Sequence, residues 1–181
     1  MNIEAITPFL GPVLAVILTS GVVAAFVTFI QNRWLENHRS QEAERTRLRQ
    51  SFAEAFASYA AYKEFPYAIR RRRYDQESEE RARLSAELNA IQSKLSYYRA
   101  WTQFESPAVG KAYADLLSEM RKIAGGAMHN AWEQPPSQND QEMNIPSEKV
   151  DLRPLSTHED NYIVAVTARL DELTPRRLRR K

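Results

Sequence analysis

Residues 84–98 read LSAELNAIQSKLSYY, and Leu84, Leu88, Ile91, Leu95 and Tyr98 recur in them at intervals of 4, 3, 4 and 3. A helix turns once every 3.6 residues, so these five side chains share one face, with Glu87, Gln92 and Lys94 off that stripe. The spacing predicts a helix from about Tyr67 or Gln76 to Phe104. Two heptads are short for a coiled coil, so the stripe is expected to pair antiparallel within the chain rather than with a second copy.

The same periodicity continues on both sides. Upstream, Leu48, Phe52, Phe56, Tyr59 and Tyr62 or Phe65 mark one face of a helix from Gln31 to about Glu64. Pro66 ends it, because proline disfavours helical backbone in the residue before it. Downstream, Ser106-Pro107 is a helix start: a hydroxyl at the N-cap, then a proline where a missing N–H costs nothing. Val109, Tyr113, Leu116, Leu117, Met120 and Ile123 give that helix its apolar face, and Gly125-Gly126 is expected to weaken or stop it. Met128 and Trp132 are expected to close the core. Gln134 to Leu155, with Pro135, Pro136, Pro146 and Pro154, predicts a long loop wrapping the bundle. A last helix starts at Ser156 or Thr157, where Ser156 and Glu159 have capping-box spacing, and Tyr162 or Ile163, Val166, Leu170 and Leu173 form its apolar face. The fold class expected is all-α, a bundle of about four helices with the proline-containing loop before the last.

The N-terminal part has a different character. Pro8 to Ile30, PFLGPVLAVILTSGVVAAFVTFI, contains no charged residue. About 20 apolar residues span a hydrocarbon core roughly 30 Å thick, and a helix satisfies its own backbone in lipid. A cleaved secretory signal has a basic leader and an apolar stretch of about 7–15 residues. Here Met1 to Glu4 is acidic and the run is longer, so an uncleaved transmembrane helix is expected, with Trp34 and Arg33 at its interface. All 25 Lys and Arg residues lie C-terminal to the run. The positive-inside rule then places residues 1–7 outside, 8–30 across the inner membrane, and a helical domain, 31–174, in the cytoplasm with a basic tail, 175–181. Nineteen Arg against six Lys suggests a bacterial coding bias, and the absence of cysteine agrees with a reducing compartment.

Chemical motifs are sparse. His38, His129 and His158 form no i, i+4 pair, there is no cysteine, and no glycine-rich phosphate loop occurs, so neither metal nor cofactor is expected. Ser156, His158 and Asp160 have the residue types of a hydrolase triad, but they crowd into five positions at a helix start, where capping accounts for them.

Two basic runs remain: Arg70, Arg71, Arg72 and Arg73 between Tyr67 and Tyr74, and the tail with Arg176, Arg177, Arg179, Arg180 and Lys181. Adjacent arginines repel one another, so both runs are candidate sites for an anionic partner. Anionic lipid headgroups come first, since the bilayer is within reach; Glu77, Glu79 and Glu80 of the chain itself come second; nucleic acid is third, without a recognised motif. The sequence thus points to a non-enzymatic, membrane-anchored module that binds itself or another protein, and alternatively to an anionic-lipid or nucleic-acid binder using its arginines.

Overall fold

The computed structural model describes residues 33, 36, 39–139, 141–146 and 149–174. The expected transmembrane run Pro8–Ile30, its flank 1–7, Trp34 and the tail 175–181 lie outside the described residues. Among the described residues no helix is long and apolar enough to cross a membrane.

The chain divides into two units, Met1–Thr46 and Arg47–Lys181. In the first, residues 39–46 are helical, as are Arg33 and Glu36, both exposed. Among its described residues the second holds five helices: α1 (47–63), α2 (Phe65–Arg70), α3 (Glu77–Glu105), α4 (Pro107–Glu133) and α5 (Ser156–Glu172), the last preceded by a 3-10 turn, Arg153–Leu155. No strand occurs among the described residues. The expected all-α bundle is observed, with the chain near Pro66 forming a short helix of its own.

In α1, Leu48, Phe52, Ala55, Tyr59 and Tyr62 are buried at the same 4, 3, 4, 3 spacing that α3 shows. Phe56, expected on that stripe, sits at its edge, half-buried. Glu64 is a turn, and Pro66 lies in the first turn of α2, where it forfeits no hydrogen bond. The interruption lets Tyr62 and Phe65 both face inward.

α3 and α4 form an antiparallel hairpin joined by Ser106 alone. Ser106 is extended (φ −156°, ψ 117°), and its Oγ accepts from the Val109 N–H at 3.5 Å, the cap expected from the sequence. So short a connection presses the first turn of α4 onto the last turn of α3. A Cβ at Gly110 would lie 2.5 Å from the Gln103 Cα, so this position requires glycine. At the other end of the hairpin Arg81 of α3 lies over the Trp132 ring of α4.

α4 packs against α2, α3 and α5. Its buried face runs from Val109 through Tyr113, Leu116, Leu117, Met120, Ala124 and Met128 to Ala131. The helix continues through Gly125 and Gly126, contrary to expectation, because the flanking Ala124 and Met128 are held in the core. Each glycine costs about 1 kcal/mol relative to alanine, less than the roughly 1.5–3 kcal/mol from burying one large side chain beside it. Nothing lies within 4 Å of a Cβ placed at Gly126.

The loop after α4 is tied to the end of α2. Ser137 donates to the Arg70 carbonyl through Oγ at 3.1 Å and N–H at 3.4 Å, and Tyr67 donates to the Val150 carbonyl at 3.4 Å. The capping box expected at Ser156 is absent: the N-cap is Leu155, with no side-chain cap, and Glu159 turns into the bundle instead. Tyr162, not Ile163, is the buried residue of α5.

The two glycine environments predict opposite outcomes. Gly110→Ala should destabilise the protein by about 1–3 kcal/mol through the clash with Gln103, while Gly126→Ala should stabilise it by about 0.5–1 kcal/mol. Chemical denaturation would read both, and equal shifts would contradict this packing.

Candidate functional site

The arginine run begins in the last turn of α2 and continues into the loop before α3, and the fold sends its four guanidinium groups into four environments. Arg72 is only 4% exposed. Its Nη1 donates to the carbonyls of Ile69 (3.0 Å) and Ala131 (3.2 Å), and its Nη2 to that of Gln134 (2.6 Å). The last two carbonyls close α4, so Arg72 completes a helix end that has no further N–H to offer. The group stacks over Trp132 at 5.0 Å, and Arg81 lies 4.8 Å from the same ring. Burial holds the Arg72 pKa below that of a free guanidinium.

Arg73 forks onto Asp75, with Nε–Oδ1 at 3.2 Å and Nη2–Oδ2 at 3.0 Å. Arg71 donates from Nε to the Met143 carbonyl at 3.1 Å and lies 5.8 Å from the Tyr67 ring centre. The Arg70 side chain borders an open groove of about 310 Å³ together with Asn130, Lys149 and Asp151. Arg72, one of the residues expected at an anionic-partner site, is therefore committed to carbonyls within the bundle. The run presents no fourfold cluster. Of the three acids expected beside it, Glu80 accepts the Arg73 backbone N–H at 3.5 Å, but its carboxylate pairs with Arg83 at 2.9 Å. That guanidinium holds the Glu80 carboxyl below its ordinary value.

The second polar constellation lies where α1, α2 and α5 meet. The Tyr59 hydroxyl and the Lys63 ammonium both donate to Oε1 of Glu159, each at 2.8 Å. Burial would raise the Glu159 pKa, but the hydrogen bonds from Lys63 and Tyr59 outweigh it and the carboxyl stays below the usual range. Burial, reinforced by Glu159, pushes the Tyr59 phenol up. An open groove of about 440 Å³ runs past this pair, bordered by Tyr67, Asp151, Arg153 and Ser156. Asp151 and Arg153 pair with each other at 2.8 Å, so the groove wall offers paired charges.

No hydrolase triad forms. Ser156, His158 and Asp160 stand on consecutive half-turns of α5, and side chains two apart on a helix point to opposite sides. Among the described residues no group of three His, Cys, Asp or Glu side chains could hold a metal ion.

No protein family, curated protein or solved structure matches this chain.

Of the other residues expected to meet a partner, Arg33 is exposed, while Trp34, Arg176, Arg177, Arg179, Arg180 and Lys181 lie outside the described residues. Sequence reasoning missed the Tyr59–Lys63–Glu159 cluster. The available signal was Glu159 three residues before Tyr162, hence on the buried side of α5. Nothing in four adjacent arginines distinguishes the one that is buried.

Arg72→Ala should cost about 2–4 kcal/mol, leaving the helix-end carbonyls without their charged donor, whereas Arg71→Gln and Arg73→Gln should each stay within about 1 kcal/mol. Equal losses for all three in thermal unfolding would contradict the assignment. For Glu159, a folded pKa below the ordinary 4.5 means stability present above that value and lost as pH falls through the folded one. Glu159→Gln should therefore flatten the melting-temperature profile between about pH 5 and pH 3; an unchanged slope would contradict it.

Proposed function

We propose that this chain is a non-enzymatic, single-pass membrane-anchored helical module that binds protein partners at the cytoplasmic face of a bacterial inner membrane. The observation that carries the reading is the uncharged run Pro8–Ile30, with every Lys and Arg of the chain on its C-terminal side. Its length matches a hydrocarbon core, and the charge asymmetry favours an inward-facing body.

The body supports a binding role rather than a catalytic one. Glu159 is engaged by Lys63 and Tyr59, and Glu80 by Arg83. Exposed apolar side chains remain, among them Tyr97, Phe104, Ile163 and Val164, which offer contact surface to a partner. A second reading, attachment to an anionic partner through arginines, draws on the basic segment 175–181, since Arg72 is engaged within the bundle.

Membranes from cells expressing the full chain provide the test. The protein is expected to stay in the pellet after alkaline carbonate extraction, and protease added outside spheroplasts should leave the body intact. Release into the supernatant would refute the anchor; digestion from outside would refute the orientation.

A further inference from the structure

A groove of about 440 Å³ runs along the α3–α4 hairpin. Ser96, Arg99 and Gln103 of α3 border it on one side, and Gly110, Ala114 and Arg121 of α4 on the other. No Asp or Glu borders it, whereas the grooves beside Glu159 and Arg70 both include the Asp151 carboxylate. Arg99 and Arg121 are exposed, and neither guanidinium has a hydrogen-bond or ion-pair partner among the described residues. The neighbouring acids are engaged elsewhere. Asp115 pairs with Lys111 and Glu119 with Lys122, each at 2.6 Å, and Glu105 is shared by Arg47 and Arg169. The Gln103 amide is likewise unpartnered among the described residues. Its Oε1 lies 2.5 Å from the point a Gly110 Cβ would occupy, so the missing side chain there lets the amide lie against α4. Ser96 contributes less, because its hydroxyl donates to the Gln92 carbonyl at 2.9 Å.

We propose that this groove binds a phosphorylated small molecule, with Arg99 and Arg121 on the oxygens of a phosphate monoester and the Gln103 amide as a third donor. Charge selects the class. A carboxylate would neutralise one guanidinium and leave the other, whereas a phosphate monoester carries about −1.5 to −2 at neutral pH and offers three acceptor oxygens. The planar guanidinium fork matches two oxygens of such a group. Repulsion between the two arginines is relieved once a dianion lies between them. Both arginines stand within helices, so binding orders side chains and no loop. The site lies wholly on the α3–α4 hairpin and does not depend on how the chain is anchored.

The test is a nuclear magnetic resonance titration of the full chain, isotope-labelled at the arginine Nε, with glycerol phosphate as the probe and acetate at matched ionic strength as the control. The Nε–Hε signals of Arg99 and Arg121, identified by their absence from Arg99→Gln and Arg121→Gln, are expected to move saturably with glycerol phosphate and to stay still with acetate. Each of these substitutions should weaken binding about tenfold or more, the loss of one charged donor pair. Both side chains are exposed, so the melting temperature should not change. Arg153→Gln, which removes an arginine already held by Asp151, should leave the affinity as it was. Signals that do not respond to glycerol phosphate, or an affinity unchanged in both Arg99→Gln and Arg121→Gln, would overturn the site. An equal response to acetate would overturn the assignment to a dianion. Movement with a short-chain phosphatidic acid and not with glycerol phosphate would overturn the small-molecule assignment in favour of a lipid headgroup.

Discussion

Two phenol hydroxyls fasten the bundle. Tyr113 of α4 donates to the Ala55 carbonyl at 2.9 Å, and Tyr162 of α5 donates to the Phe52 carbonyl at 3.0 Å. Both acceptors lie on the buried face of α1. A helix carbonyl has a second lone pair after its own ladder bond, so it can take these donors without losing helix. Each ring then adds apolar burial to a satisfied polar tip, which is the condition under which a buried tyrosine stabilises rather than costs. Burial pushes both phenols above their usual range, Tyr113 foremost by desolvation and Tyr162 likewise. Phe56 stacks on Tyr162 at 5.9 Å and Trp101 meets Phe52 edge-on at 5.1 Å, extending the aromatic layer from α5 across α1 to α3.

Helical periodicity made most of this legible. The 84–98 stripe, the Ser106-Pro107 start and the apolar face of α4 are local signals, and each reappears in place. The misses are places where tertiary contacts outweigh local preference. Gly125-Gly126 are weak helix formers by about 1 kcal/mol each, too little to break a helix anchored in the core on both sides. Glu159 has the spacing of a capping residue, yet it lies within reach of Lys63 and Tyr59, and a charged hydrogen bond away from full solvent outcompetes an exposed cap.

The arginine run shows a similar limit. Composition reports four like charges in a row, but whether a guanidinium faces solvent depends on where α4 ends, some sixty residues downstream. Arg72 finds two carbonyls and an indole there, Arg73 finds Asp75, and Arg71 finds the loop. Like-charge repulsion is thus relieved by dispersal into separate contacts. Charge runs read from sequence are best treated as a pool from which the fold draws some members inward.

The long reach of the two phenol contacts also bears on how the chain is made. The acceptor at Ala55 waits for a donor 58 positions later, and that at Phe52 for one 110 positions later. At translation rates of about 5–20 residues per second, Phe52 is made roughly 5–20 s before the Tyr162 that binds its carbonyl, whereas Trp101 and Tyr113 come sooner. The α3–α4 hairpin, closed by a single residue, needs no such wait and precedes α5 in the chain. Nascent α1 is thereby the segment most in need of shielding, and the ready-made hairpin is the first surface able to provide it.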